Sequence, residues 1–111
     1  MGKLIGLEPK IFFDYFEEIS NIPRGSYHEA EISNYLKKFA LDRGMEVFQD
    51  EHYNLLIKKK GTKGYENARP LLLHGHMDMV LAKEDWVEQD MLTEGIRLVV
   101  DGDYIRAEGT T

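Results

Sequence analysis

The sequence predicts an α/β architecture, two helices and then a mixed sheet with hairpins, and three observations carry the prediction. Apolar residues recur at helical spacing early in the chain, and short β-like runs separated by turn residues follow. One unbroken apolar run, Pro70-Leu71-Leu72-Leu73, then leads directly into a polar cluster. That order is typical of a layered α/β domain, in which ligands gather at the carboxyl ends of strands.

The first helix is predicted between Glu8 and Ile22, where Ile11, Phe12, Tyr15, Phe16 and Ile19 keep the spacing of one helical face. Ile22-Pro23-Arg24-Gly25 interrupts it. Ser26 with Glu29 has the pattern of a capping box, which should open a second helix carrying Ile32, Leu36, Phe39 and Ala40 inward. Gly44 easily adopts the left-handed conformation at a helix end, so this helix should stop near Asp42.

Met45 to Gln49 and Asn54 to Lys60 read as a hairpin or neighbouring strands around Asp50-Glu51-His52. Gly61 to Arg69 reads as a polar loop, and Leu71-Leu72-Leu73 as a central strand buried on both faces. Val80 to Gly95 is acidic and irregular. Ile96 to Val100 and Tyr104 to Ala107, joined through Asp101-Gly102, read as a second hairpin.

At 111 residues and 42% hydrophobic composition the chain suits one domain or part of a larger one. Its 14 Lys+Arg against 20 Asp+Glu give a formal charge of -6, which disfavours nucleic acid and anionic membranes as partners. No apolar run approaches the roughly 20 residues of a membrane span. Met1-Gly2-Lys3-Leu4-Ile5-Gly6 lacks a signal-peptide core, so a cytoplasmic location is expected. With 0 cysteines, any metal must be held by imidazole and carboxylate, which narrows the donors to the histidines and the acids.

The cluster after the apolar run is His74-Gly75-His76-Met77-Asp78-Met79-Val80. Alternation in an extended chain would place His74, His76 and Asp78 on one side. A neutral imidazole binds metal best when its second ring nitrogen donates to a carboxylate, a service Asp78 can offer His76. Gly75 leaves room for a bend beside the site. A charged Asp78 at the end of a core strand is costly unless paired or liganded, which favours a functional reading over a chance His-x-Asp.

Other polar positions read more simply as structure. His28 falls in the predicted first turn of the second helix and His52 in a turn, and neither is assigned a role. Met77 and Met79 suit a core, Lys58-Lys59-Lys60 a protected strand end, and Glu84, Asp85, Glu88 and Asp90 a solvated surface around Trp86.

Four segments stand in order along the chain: Ile22-Pro23 leading to Ser26-Tyr27-His28-Glu29, Gly64-Tyr65-Glu66-Asn67, Gly75-His76-Met77-Asp78-Met79-Val80, and Asp101-Gly102 leading to Gly109-Thr110-Thr111. Through them, along nearly its whole length, the chain resembles the M20 metallopeptidases, and within them the aminoacyl-histidine, or cytosol non-specific, dipeptidase type. The resemblance implies the amino-terminal part, residues 1–111, of a single zinc-peptidase catalytic domain, with the remaining catalytic segment and a lid domain beyond it.

It further implies a co-catalytic zinc pair, with cobalt or manganese as substitutes, in which His76 ligates one metal and the catalytic carboxylate Asp78 orients that imidazole. Dipeptides of the Xaa-His type would be hydrolysed by metal-activated water. The bridging aspartate, the general base and the other ligands would lie past Thr111. The 111 residues alone are therefore expected to be inactive, and the full-length protein is a candidate homodimer. Leu81, where the family often has proline, and His74, where it often has glutamine, depart from the pattern without removing a ligand. The competing reading is a non-catalytic α/β module or a degenerate relative without peptidase activity.

Overall fold

A computed structural model describes residues 2–111; Met1, the first residue of the amino-terminal stretch read above, lies outside them. The elements run α1 (Lys10–Ser20), α2 (Ala30–Asp42), β1 (Glu46–Gln49), β2 (Leu55–Lys58), β3 (Leu98–Asp101) and β4 (Tyr104–Ala107). They fall into two compact units, one of Met1–Ile32 with Asp78–Thr111 and one of Ser33–Met77. The strands form two separate antiparallel pairs, β1 with β2 and β3 with β4.

In the first unit α1 begins just after Pro9, whose carbonyl accepts the Phe12 and Phe13 N–H groups at 3.1 and 3.3 Å. Proline suits this position because the first helical N–H groups have no intrahelical partner to lose. The Glu17 carboxylate accepts the Lys3 and Leu4 N–H groups, which ties the amino-terminal stretch to the helix and leaves Leu4 buried. Ser20 is buried too; its hydroxyl donates to the Phe16 carbonyl at 2.7 Å, and its own carbonyl accepts the Ile96 N–H at 2.7 Å.

The apolar stripe of α1 is only partly covered: Tyr15 and Ile19 are half-buried, whereas Ile11 and Phe12 are 65% and 59% exposed, and Phe12 stacks along the helix on Phe16. Glu17 and Ser20 add long-range hydrogen bonds from the helix. The β3–β4 hairpin pairs Leu98 with Ala107 and Asp101 with Tyr104, so its two-residue loop is Gly102-Asp103, one position later than predicted. Gly102 has φ +60°, a conformation that glycine reaches without the steric cost of a Cβ.

In the second unit α2 ends at Asp42 as predicted. Gly44 follows at φ +72°, and the Gly44 and Met45 N–H groups donate to the Leu41 and Ala40 carbonyls. Ala40 lies on the inward side. Ser33 is fully buried; its hydroxyl donates to the Tyr53 carbonyl at 2.7 Å and accepts from the Gln49 amide at 2.9 Å, joining helix to hairpin. The hairpin pairs Glu46 with Lys58 and Gln49 with Leu55.

Asp50 organises the turn between β1 and β2. Its carboxylate accepts the Asn54 side-chain amide at 2.8 Å and the Asn54 and His52 backbone N–H groups at 2.9 Å. These bonds, led by that of the Asn54 side chain, hold its pKa below the ordinary 3.8. A carboxyl whose folded pKa is depressed adds stability that is complete above the unfolded value and is lost as pH falls through the folded one. Amide exchange at Asn54 should therefore stay slow and pH-insensitive in its opening term above about pH 4, and opening should become easier below that. In Asp50→Ala the turn should open readily at every pH.

Two predicted features are corrected. Leu71, Leu72 and Leu73 are 83%, 77% and 85% exposed and form no strand, because no strand among the described residues lies beside them to complete a hydrogen-bonded ladder. Helix α2 opens at Ala30, four residues after Ser26, so Ser26 is not its N-cap.

Candidate active site

The segment that carries Asp78 is held by backbone pairing inside the first unit. Gly25 and Met79 form a parallel bridge: the Met79 N–H donates to the Arg24 carbonyl at 2.9 Å and the Ser26 N–H to the Met79 carbonyl at 3.2 Å. Gly25 is needed for this approach, since a Cβ there would fall 2.5 Å from Leu81 Cδ1. Arg24 lies under the bridge, donating to the Ile19 carbonyl and to the Met79 sulfur at 3.5 Å, and burial lowers its pKa. Gly25→Ala should destabilise the chain by about 1–2 kcal/mol, because the obstacle is the movable end of a leucine side chain. A denaturant midpoint would measure this, and Leu81→Ala in the same chain should recover part of the loss.

The bridge places Ser26 against Asp78. The Ser26 hydroxyl donates to Asp78 Oδ2 at 2.5 Å, in the short range of bonds between a hydroxyl and an ionised carboxylate. Ser26 enters a tight turn closed by the His28 N–H on the Gly25 carbonyl at 2.8 Å, with Tyr27 at φ +69°. A bulky residue in the left-handed region is uncommon and often accompanies a functional constraint. The Tyr27 N–H is taken by Glu29 Oε1 at 2.6 Å, so Glu29 serves this turn and not a capping box.

Beyond the motif, the Lys83–Thr110 bridge and the Thr111 N–H bonded to the Ala82 carbonyl at 2.9 Å bring Gly109-Thr110-Thr111 beside the chain that follows Asp78. The Thr111 hydroxyl donates to the Val80 carbonyl. Gly109, at φ +67°, sits so close to Trp86 and Val87 that a Cβ would overlap both. Three of the sequence signals, around Ser26, Asp78 and Thr110, thus converge in one unit.

The remaining candidates lie elsewhere or on the surface. His76 and His74 belong to the second unit and are exposed, while Asp78 and Met79 of the first unit and Met77 of the second are half-buried. His28 is exposed, and His52 is exposed beside Glu51 at 3.6 Å. Glu84, Asp85, Glu88 and Asp90 face solvent. Beside the bridge, Pro23, Arg24, Met79, Leu81 and Gln89 line a cavity of about 20 Å³, room for one water but not for a dipeptide.

Imidazole and carboxylate are donors that zinc accepts, and the Ser26 hydroxyl steadies the Asp78 carboxylate. Among the described residues, however, no group of three or more His, Asp or Glu gathers to hold a metal. Ser26 was missed from the sequence because Ser-x-x-Glu is also the signature of a helix start. The signal that could have raised the question was Pro23 and Gly25 immediately before it.

No family model matches the chain. It is 37% identical over 111 residues to the cytosol non-specific dipeptidase of Escherichia coli K12, matching all of this chain and 23% of that protein. The chain is similar to part of a dipeptidase. The crystal structure of aminoacylhistidine dipeptidase from Vibrio alginolyticus superposes with a TM-score of 0.87 and 33% identity over 94% of this chain and 21% of that one. The two helices and two small antiparallel sheets are therefore an α/β arrangement that also occurs in a dipeptidase. An uncharacterised Bacillus subtilis 168 protein, YqjE, is 29% identical over 110 residues, 92% of this chain and 26% of its own length. The chain spans about a quarter of the length of these curated relatives. No helix among the described residues is long and apolar enough to cross a membrane.

Proposed function

We propose that this chain is the amino-terminal portion of an M20-type metallopeptidase that hydrolyses dipeptides, Xaa-His among them, in the cytoplasm. The observation that carries the reading is the likeness to the dipeptidases over essentially the whole chain, in sequence and in fold together. Substrate class follows from those relatives' names and not from a pocket in these residues.

His76 is the metal ligand in this reading, and Asp78 is the carboxylate that fixes its tautomer and raises its basicity. The chemistry a zinc pair supplies when bound is Lewis-acid polarisation of the scissile carbonyl and activation of water. The chain's own part is to hold Asp78 in place through the Gly25–Met79 bridge. In this reading the remaining ligands and the general base are not among these 111 residues.

The test is to express the full-length protein, quantify its bound metal and assay a panel of dipeptides with and without chelator. Chelator-sensitive release of amino acids, restored by zinc, is the expected result. A well-folded full-length protein that neither binds zinc nor cleaves any dipeptide would instead fit a non-catalytic module. The isolated 111-residue chain should show no stoichiometric zinc uptake by calorimetry, since one imidazole cannot replace the three or more protein ligands of a zinc site.

A further inference from the structure

We propose that Ser26 is a positioning residue for Asp78, and through Asp78 for the metal-binding imidazole; this rests on the reading of His76 and Asp78 given above. The hydroxyl donates to Asp78 Oδ2 at 2.5 Å across 52 positions of chain. Its backbone is tied to the neighbouring residue, with the Ser26 N–H on the Met79 carbonyl at 3.2 Å and the Met79 N–H on the Arg24 carbonyl at 2.9 Å. Backbone and side chain of one residue therefore both grip the segment that carries Asp78, which limits rotation of the carboxylate as well as its translation.

The placement is specific. Helix α2 starts at Ala30, so the hydroxyl is not employed as its cap. Gly25, with no Cβ, lets the two segments approach past Leu81, and Tyr27 holds the left-handed φ of +69° that completes the turn after Ser26. A carboxylate that must orient an imidazole needs one oxygen held in a fixed plane. A hydroxyl donor does that without adding charge.

The experiment uses the full-length protein with zinc bound. Ser26→Ala should lower kcat/KM by about three- to tenfold and speed zinc loss to a chelator by a similar factor, less than the roughly 10–100-fold for removal of an outer partner of the ligand itself, because Ser26 acts one bond further out. Ser26→Thr, which keeps the hydroxyl, should restore both to within about twofold of wild type. In an Asp78→Ala background, Ser26→Ala should add little further loss, because the partner through which it acts is gone. Ser26→Cys keeps the volume with a weaker donor and should show the same defects, which covers the case in which the alanine variant does not fold.

A folded Ser26→Ala protein with wild-type zinc retention and turnover overturns the proposal. So does a loss that adds in full to that of Asp78→Ala, or one that Thr does not rescue. Failure of the underlying reading looks different: the wild-type protein itself would neither hold zinc nor cleave dipeptides, and the proposal would fall with it.

Discussion

His76→Ala in the full-length protein is expected to lower kcat/KM for dipeptides by well over a hundredfold and to strip most of the zinc from one metal position. Loss of an outer hydrogen-bond partner already costs about 10–100-fold in affinity or activity, and loss of the ligand itself must exceed that. The imidazole is replaced by a methyl group that has no lone pair, so the ligand's bond to the metal is lost outright. Metal content by plasma emission spectrometry and steady-state kinetics on the same preparation would check it. A fully active, fully metallated His76→Ala protein would sink the assignment. Asp78→Ala should be milder, within about 10–100-fold, because an imidazole can still bind when its tautomer is no longer fixed.

Gly95→Ala should damage the fold severely, lowering stability by about 3 kcal/mol. A Cβ at this position would lie 2.3 Å from the Asn21 carbonyl carbon and 2.4 Å from its oxygen. These are backbone atoms at the end of α1, and they cannot swing aside as a side chain would. The same contact is fastened by the Ile96 N–H on the Ser20 carbonyl at 2.7 Å and by the Gln89 amide on the Gly95 carbonyl, so moving the backbone apart breaks both bonds. Gly102→Ala is the control. That residue also lacks a Cβ, and its φ of +60° carries a conformational cost, but nothing lies within 4 Å of the added carbon. It should cost only about 1–2 kcal/mol. Denaturant unfolding of the two variants should rank them in that order, and equal midpoints would contradict the argument.

Local features of the fold were legible because they are decided by residues a few positions apart. The spacing of Ile11, Tyr15 and Ile19 marked α1, Gly44 marked the end of α2, and the β-rich runs around Asp50 and Gly102 marked the two hairpins, each within a few residues of its observed bounds. Burial was read less well. Ile11 and Phe12 of the α1 stripe and the run Leu71-Leu72-Leu73 looked like core, yet they are largely exposed in this chain, since a pattern shows that a face is apolar and not what covers it. Ser26-x-x-Glu29 misled for a related reason: a hydroxyl that accepts an N–H at a helix start and one that donates to a distant carboxylate look alike in sequence.

The sequence alone determined the two helices, the two hairpins and the kind of donors, imidazole and carboxylate, that any metal would have to use. It placed His76 and Asp78 side by side, a fact of covalent order. Only the tertiary structure decided that Ser26 holds Asp78, that Gly109-Thr110-Thr111 returns beside the segment after it, and that Glu17 and Ser20 make long-range hydrogen bonds from α1. The physical reason is the loop that must close. A helix or a tight hairpin is stabilised by bonds across a few residues, whereas the Ser26–Asp78 bond closes a loop spanning 52 positions and depends on two distant segments meeting where Gly25 can pack against Leu81.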